Sequence, residues 1–300
     1  MKKKNQFITI STILVCLLSL SNASLSNTTN SSTKKQFGLY VSGQYKPSVS
    51  IFSNFSVKET NFPTKYLAAL KKDINSVEFD DSVTAGISYP LNFSTPYIAV
   101  FQDNISNFNG AIGYTFVEGP RIEIEGSYEE FDVKDPGRYT EIQDAYRYFA
   151  LARDIDSIPT SPKNRTSHDG NSSYKVYHTV MKNEGLSIIS IMVNGCYDFS
   201  SDNLSILPYV CGGIGVNAIE FFDALHVKFA CQGKLGITYP LSSNVSLFAG
   251  GYYHQVMGNQ FKNLNVQHVA ELNDAPKVTS AVATLDIGYF GGEIGARLIF

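Results

Sequence analysis

The last thirteen residues, GYFGGEIGARLIF (residues 288–300), decide how the rest of the chain is read. Phe290, Ile294, Ala296, Leu298 and Phe300 recur on alternate positions and end on an aromatic, while Glu293 and Arg297 fall between them. A strand sends successive side chains to opposite faces, so this segment has one apolar face and one polar face. Such a strand suits a wall with lipid on one side and a polar lumen on the other.

The same period recurs upstream. In RIEIEGSYEEFDV (residues 121–133), Ile122, Ile124 and Tyr128 share one face, and Arg121, Glu123, Glu125 and Glu129 the other. Phe37, Leu39, Val41 and Tyr45 alternate with Gly38, Tyr40, Ser42, Gln44 and Lys46, and Phe108, Ile112, Tyr114 and Phe116 alternate with Asn109, Ala111, Gly113 and Thr115. Further strand-like segments begin at Leu186, Ile206, Val227 and Val245. The eight segments are joined by gaps that alternate long and short. Polar stretches follow at 54–104 and 134–184, a moderate link passes through Phe221, Phe222 and Asp223, and a loop covers 257–276. The short turns are 117–120, SSDN (200–203) and LSSN (241–244).

Beyond the N-terminus no apolar run reaches the roughly 18 residues a membrane helix needs, so any membrane span must be a closed barrel. The fold predicted is therefore all-β: a transmembrane antiparallel β-barrel of eight strands over residues 37–300, with long extracellular loops and tight periplasmic turns. Two loop tracts carry helix signals. Thr140 and Gln143 form a capping-box pattern ahead of Ala145, Phe149 and Ala152, and Pro63–Thr64 precede YLAALKK.

The N-terminus reads as an export signal. Lys2, Lys3 and Lys4 precede an apolar stretch from Phe7 to Leu20, and Ser21 and Ala23 supply small residues for cleavage after Ala23. Residues 1–23 are thus expected to be removed and 24–36 to form a short periplasmic segment. Loss of three lysines and no acid would take the formal charge from −3 to −6. A mildly acidic chain lacks the footprint of a nucleic-acid binder, so the partners expected are outer-membrane lipid and the barrel assembly machinery. For the latter, the terminal row Ala296, Leu298 and Phe300 is the expected signal.

The polar faces hold Arg121, Glu123, Glu125, Glu129, Lys228, Lys234, Glu293 and Arg297, four acids and four bases. An eight-strand barrel is just wide enough to be filled by its side chains. These charges are either an ion-pair network that closes the lumen or the lining of a narrow pore, and barrel width favours the network. Cys196 and Cys211 flank the SSDN turn symmetrically and are candidates for a disulfide between neighbouring strands, with free thiols at all three mature cysteines as the alternative. Gly213, Gly215 and Ala218 match a dinucleotide fingerprint, but no helix follows. The five histidines lack metal-ligand spacing, and no nucleophile motif accompanies them. No enzyme activity, metal or cofactor is expected.

Several stretches resemble the ehrlichial and anaplasmal major surface antigen family. They are FNGAIGY from Phe108, GPRIEIEGSYEEFDVKDPG from Gly119, FFDALHVKFACQGKLGITYPL from Phe221, and the tail GNQFKNLNVQHVAELNDAPKVTSAVATLDIGYFGGEIGARLIF from Gly258. The resemblance implies an outer-membrane barrel of an intracellular bacterium that displays variable loops to host surfaces and antibodies. It also implies porin-type passive diffusion of small hydrophilic solutes. An adhesin acting through its loops above a plugged barrel is the alternative reading.

Overall fold

The computed structural model describes residues 37–60, 63–74, 77, 86–87, 92–137, 143–152, 178–199, 206–266, 268–269 and 280–300. The expected signal sequence, the 24–36 segment and the SSDN turn lie outside these residues. Eight strands form the barrel: β1 (Gly38–Tyr45), β2 (Phe108–Thr115), β3 (Pro120–Phe131), β4 (Leu186–Asp198), β5 (Leu207–Phe221), β6 (Ala224–Pro240), β7 (Val245–Val256) and β8 (Gly288–Ile299). Each pairs antiparallel with its neighbour, and β1 closes on β8 from Tyr40↔Ile299 to Tyr45↔Ile294. The short piece Val49–Ser50 extends that seam by pairing with Tyr289 and Phe290.

The strand period sorts the side chains as hydrophobicity requires. Ile122, Ile124, Ile189, Ile191, Val193, Ile214, Leu235 and Ile294 face outward and are exposed. Aromatic rings flank this apolar band. Tyr114, Phe116, Tyr197, Phe199 and Tyr239 lie toward the short turns, and Tyr45, Phe108, Phe229, Tyr253 and Phe290 toward the long loops. From Phe229 to Tyr239 the strand covers about ten residues, which at ~3.3 Å each and a tilt near 40° makes a band roughly 25 Å tall. Leu298 sits at the short-turn rim, paired with Val41 and Val245.

The loop side is more ordered than its polarity suggests. One small sheet joins Gln260–Leu264, Ala281–Asp286 and Ser53–Glu59. A second runs His268–Val269, His178–Lys182, Tyr148–Ala152, Tyr66–Leu70 and Phe93–Pro96. Both helix expectations are corrected here. YLAAL (residues 66–70) is a strand, and residues 143–152 form a 3-10 helix at Gln143–Arg147 followed by a strand, with Thr140 of the capping pattern outside the described residues. Phe149, Ala150, Leu151 and Ala152 are all buried, so packing on two faces overrides alanine's preference for helix. The 134–184 tract likewise contains paired strands instead of polar loop alone.

A further correction concerns the link through Phe221, Phe222 and Asp223. It is a two-residue turn between Phe221 and Ala224, with positive φ at Phe222 (51°) and Asp223 (56°). Phe222 holds a conformation usual for Asn or Gly because its ring is buried in the loop-side core. That core unites Phe131, Leu186, Ile188, Ile219 and Phe221 from barrel strands with Phe149, Leu151, Met181, Phe261 and Leu285 from the cap. The stacked pair Tyr97–Phe149, with centroids 4.3 Å apart, lies in the same cluster. The cap is therefore packed onto the mouth of the barrel.

Mid-band and rim positions should differ sharply in their tolerance of charge. Leu235→Arg is expected to cost about 2–4 kcal/mol and Leu298→Arg about 0–1 kcal/mol. Guanidinium unfolding of protein refolded into lipid vesicles measures both, and unchanged stability for Leu235→Arg would refute this placement of the membrane.

Candidate functional site

The candidate site is the lumen, because the polar faces of all eight strands converge there. Its centre is Glu125 on β3, whose side chain is 1% exposed. Lys46, in the chain just beyond β1, donates to Glu125 Oε1 at 2.6 Å, and Lys234 from β6 donates to Oε2. Asn194 and Gln232 each donate to Oε2 at 3.1 Å, and Gln44 reaches Oε1 at 3.3 Å. Five donors from three different strands or their extensions thus meet one carboxylate, as a charge taken out of water requires.

Toward the short turns, Glu123 accepts Tyr40 OH at 2.7 Å, Asn194 Nδ2 at 3.2 Å and Lys234 Nζ at 3.2 Å. Glu293 accepts Tyr209 OH at 2.7 Å and lies 3.6 Å from Lys234. Arg121 Nη1 donates to both oxygens of Asp198 at 3.2 Å. Toward the loops, Glu129 is fully buried and takes bonds from Ser48 Oγ (2.7 Å), Asn104 Nδ2 (2.9 Å) and Asn107 Nδ2. It therefore joins the barrel wall to segments that cross its mouth.

Of the eight charges expected in the lumen, Arg121, Glu123, Glu125, Glu129, Lys234, Glu293 and Arg297 are buried inside. Lys228 is a correction. It has inward parity but sits on the part of β6 beyond the membrane band, over the Phe261 ring at 4.5 Å and donating to Gln260 O at 2.9 Å. Two further charges, Lys46 and Asp198, join the seven in the lumen. Lys46 continues the inward row Tyr40, Ser42, Gln44, and that continuation was its signal. Asp198 follows Cys196 on the same face at the end of β4.

Cys196 and Cys211 are direct partners across β4 and β5, with Cα atoms 4.0 Å apart, and their sulfurs are bonded. Arg121 Nη2 lies 3.5 Å from Cys211 Sγ. Cys231 is free and on the outward face. The glycines of the dinucleotide-like motif also find their reason here. A Cβ on Gly213 would collide with Asn194, and one on Gly215 with Met192, so both leave room for the lumen's contents.

Above the membrane, Arg147 Nη1 and Nη2 grip the two oxygens of Asp132 at 2.7 and 3.1 Å. Burial works against the guanidinium charge, but the Asp132 hydrogen bonds and charge outweigh it and hold the Arg147 proton more tightly than usual. Thr179 Oγ1 donates to buried Glu59, tying the two small sheets together.

The family described as Surface antigen matches residues 31–300. The chain belongs to the surface antigen family. Over 300 residues this surface antigen is 28% identical to major surface antigen 4 of Anaplasma marginale, covering 98% of the chain and 96% of that relative. Among solved structures it is similar to the outer-membrane protein OprG of Pseudomonas aeruginosa, with a TM-score of 0.46 and 12% identity over 88% of the chain and 98% of OprG. The neisserial surface protein NspA gives 0.33 and 12% over 89% and 98%. The surface antigen resides in the bacterial outer membrane, and its barrel is the anchor.

Breaking the central cluster should be costly. Glu125→Gln leaves buried Lys46 without its anion, takes from Lys234 one of its three carboxylates, and is expected to cost about 3–5 kcal/mol. Adding Lys46→Met should recover part of the loss. Unfolding in vesicles reads this, and a single variant within about 0.5 kcal/mol of wild type would show the cluster to be dispensable.

Proposed function

We propose that this surface antigen is a closed display scaffold, in which the barrel anchors and orients an ordered extracellular cap and conducts no solute. The observation that carries this reading is that the lumen is filled at two levels. The Glu125 cluster occupies the barrel between the aromatic belts, and the apolar core around Phe131, Ile188, Ile219 and Phe221 fills the loop-side mouth. The cavity beside Arg121, Glu123 and Arg297 is about 10 Å³, room for roughly one water. A hydrated sugar or amino acid needs far more. Of the two functions that family resemblance suggests, display and contact with host surfaces or antibodies through the cap fits this packing. Porin-type diffusion would need the central cluster to move aside.

Liposomes containing refolded protein should swell in arabinose no faster than protein-free liposomes, and planar bilayers should show no discrete conductance steps. Reproducible steps would overturn the closed-scaffold reading in favour of a pore.

For biogenesis we propose that the barrel assembly machinery reads the outward row Ala296, Leu298 and Phe300. Phe300 is also tied into the seam, its N–H donating to Leu39 O at 2.8 Å. Deleting Phe300 should lower the amount of heat-modifiable, folded barrel in membranes. Wild-type yield in a cell expressing the variant would remove this residue from the signal.

A further inference from the structure

We propose that the short-turn end of the lumen binds one small monovalent anion of the chloride class, between the guanidinium groups of Arg297 and Arg121. Arg297 is 5% exposed, yet among the described residues it makes no hydrogen bond and no ion pair, and its buried Nε–H has no acceptor. Its plane rests only on aromatic faces, Tyr40 at 4.9 Å and Phe248 at 5.4 Å.

The carboxylates at this end already face other partners, and the one oxygen among them that accepts no hydrogen bond, Glu293 Oε2, lies 3.6 Å from Lys234 Nζ. Asp198 holds Arg121, Glu293 holds Tyr209 and Lys234, and Glu123 holds Tyr40, Asn194 and Lys234. A lysine or histidine in this position could become neutral by losing its proton, but a guanidinium does not. Burial of an unpaired cation is expensive, so Arg297 calls for an anion.

A second guanidinium points to the same place. Arg121 shares the Tyr40 ring, at 5.9 Å, and its Nε, 3.8 Å from Glu123, also lacks a hydrogen-bond partner. Both arginines line the cavity, together with Ser42 and Gln44, which can donate, and with Glu123 and Glu293, whose charges are met by Lys234. Ser246, opposite Arg297 across the β7–β8 ladder, has a buried hydroxyl without a partner as well. At about 10 Å³ the cavity accepts a particle of roughly water size, which selects a monatomic anion over sulfate, phosphate or a carboxylate metabolite.

The test is thermal unfolding of the refolded barrel at fixed ionic strength in sodium chloride, bromide, sulfate or gluconate. An ion bound only by the folded state stabilises it saturably. Chloride and bromide should raise the melting temperature by a few degrees over gluconate, sulfate should not, and Arg297→Gln should abolish the difference. Equal melting in chloride and gluconate, or a halide effect that persists in Arg297→Gln, would overturn the proposal. Should Arg297→Gln fail to fold, wild-type crystals grown in bromide decide it. An anomalous peak within hydrogen-bonding distance of Arg297 Nε supports the site, and no peak there overturns it.

Discussion

Hydrocarbon offers no hydrogen bonds, so a sheet that crosses it can leave no edge strand unpaired, and in this chain that requirement is met at the β1–β8 seam. Everything else follows from closing the ring with eight strands. Closure fixes which residues face lipid, places the two aromatic belts, and sets the diameter of the space within. That space is too narrow for water to solvate many charges and wide enough to need filling. The polar face of each strand must therefore find its partners across the lumen.

The partners are arranged by depth. Compensated charges fill the middle, where Glu125 gathers Lys46 and Lys234. Apolar side chains take over toward the loops, and Phe131, Ile188 and Ile219 pass without a break into the cap's own core. One elongated core thus runs from the membrane interior into the exterior domain, polar at one end and greasy at the other. The cap is seated on packed side chains as well as tethered by loops.

Period-2 alternation made the wall legible from sequence, because lipid and lumen impose opposite polarity on successive residues. The lumen was legible for the same reason, and Glu123, Glu125 and Arg297 declared themselves by lying between apolar neighbours. Depth along a strand leaves no such mark. Lys228 has the same parity as Lys234, and only the length of β6 sets it above the membrane. The cap was hidden for a different reason. Tyr148–Ala152 is buried on both faces and Tyr66–Leu70 is buried on one and part-buried on the other, with apolar residues on each, which removes the polar alternation that marks a strand and leaves alanines that favour helix. The turn at Phe222–Asp223 carried none of the glycine or asparagine that advertises positive φ, because burial of the Phe222 ring offsets the strain.

The small sheet that pairs Ser53–Glu59 with Ala281–Asp286 joins tracts separated by more than two hundred residues of chain. The surface formed there is a mosaic, with neither tract alone presenting the same outline. Sequence drift in one tract has to remain compatible with hydrogen-bonded partners in the other. Change at this surface is accordingly a correlated process, governed by the fit between two distant stretches of the chain.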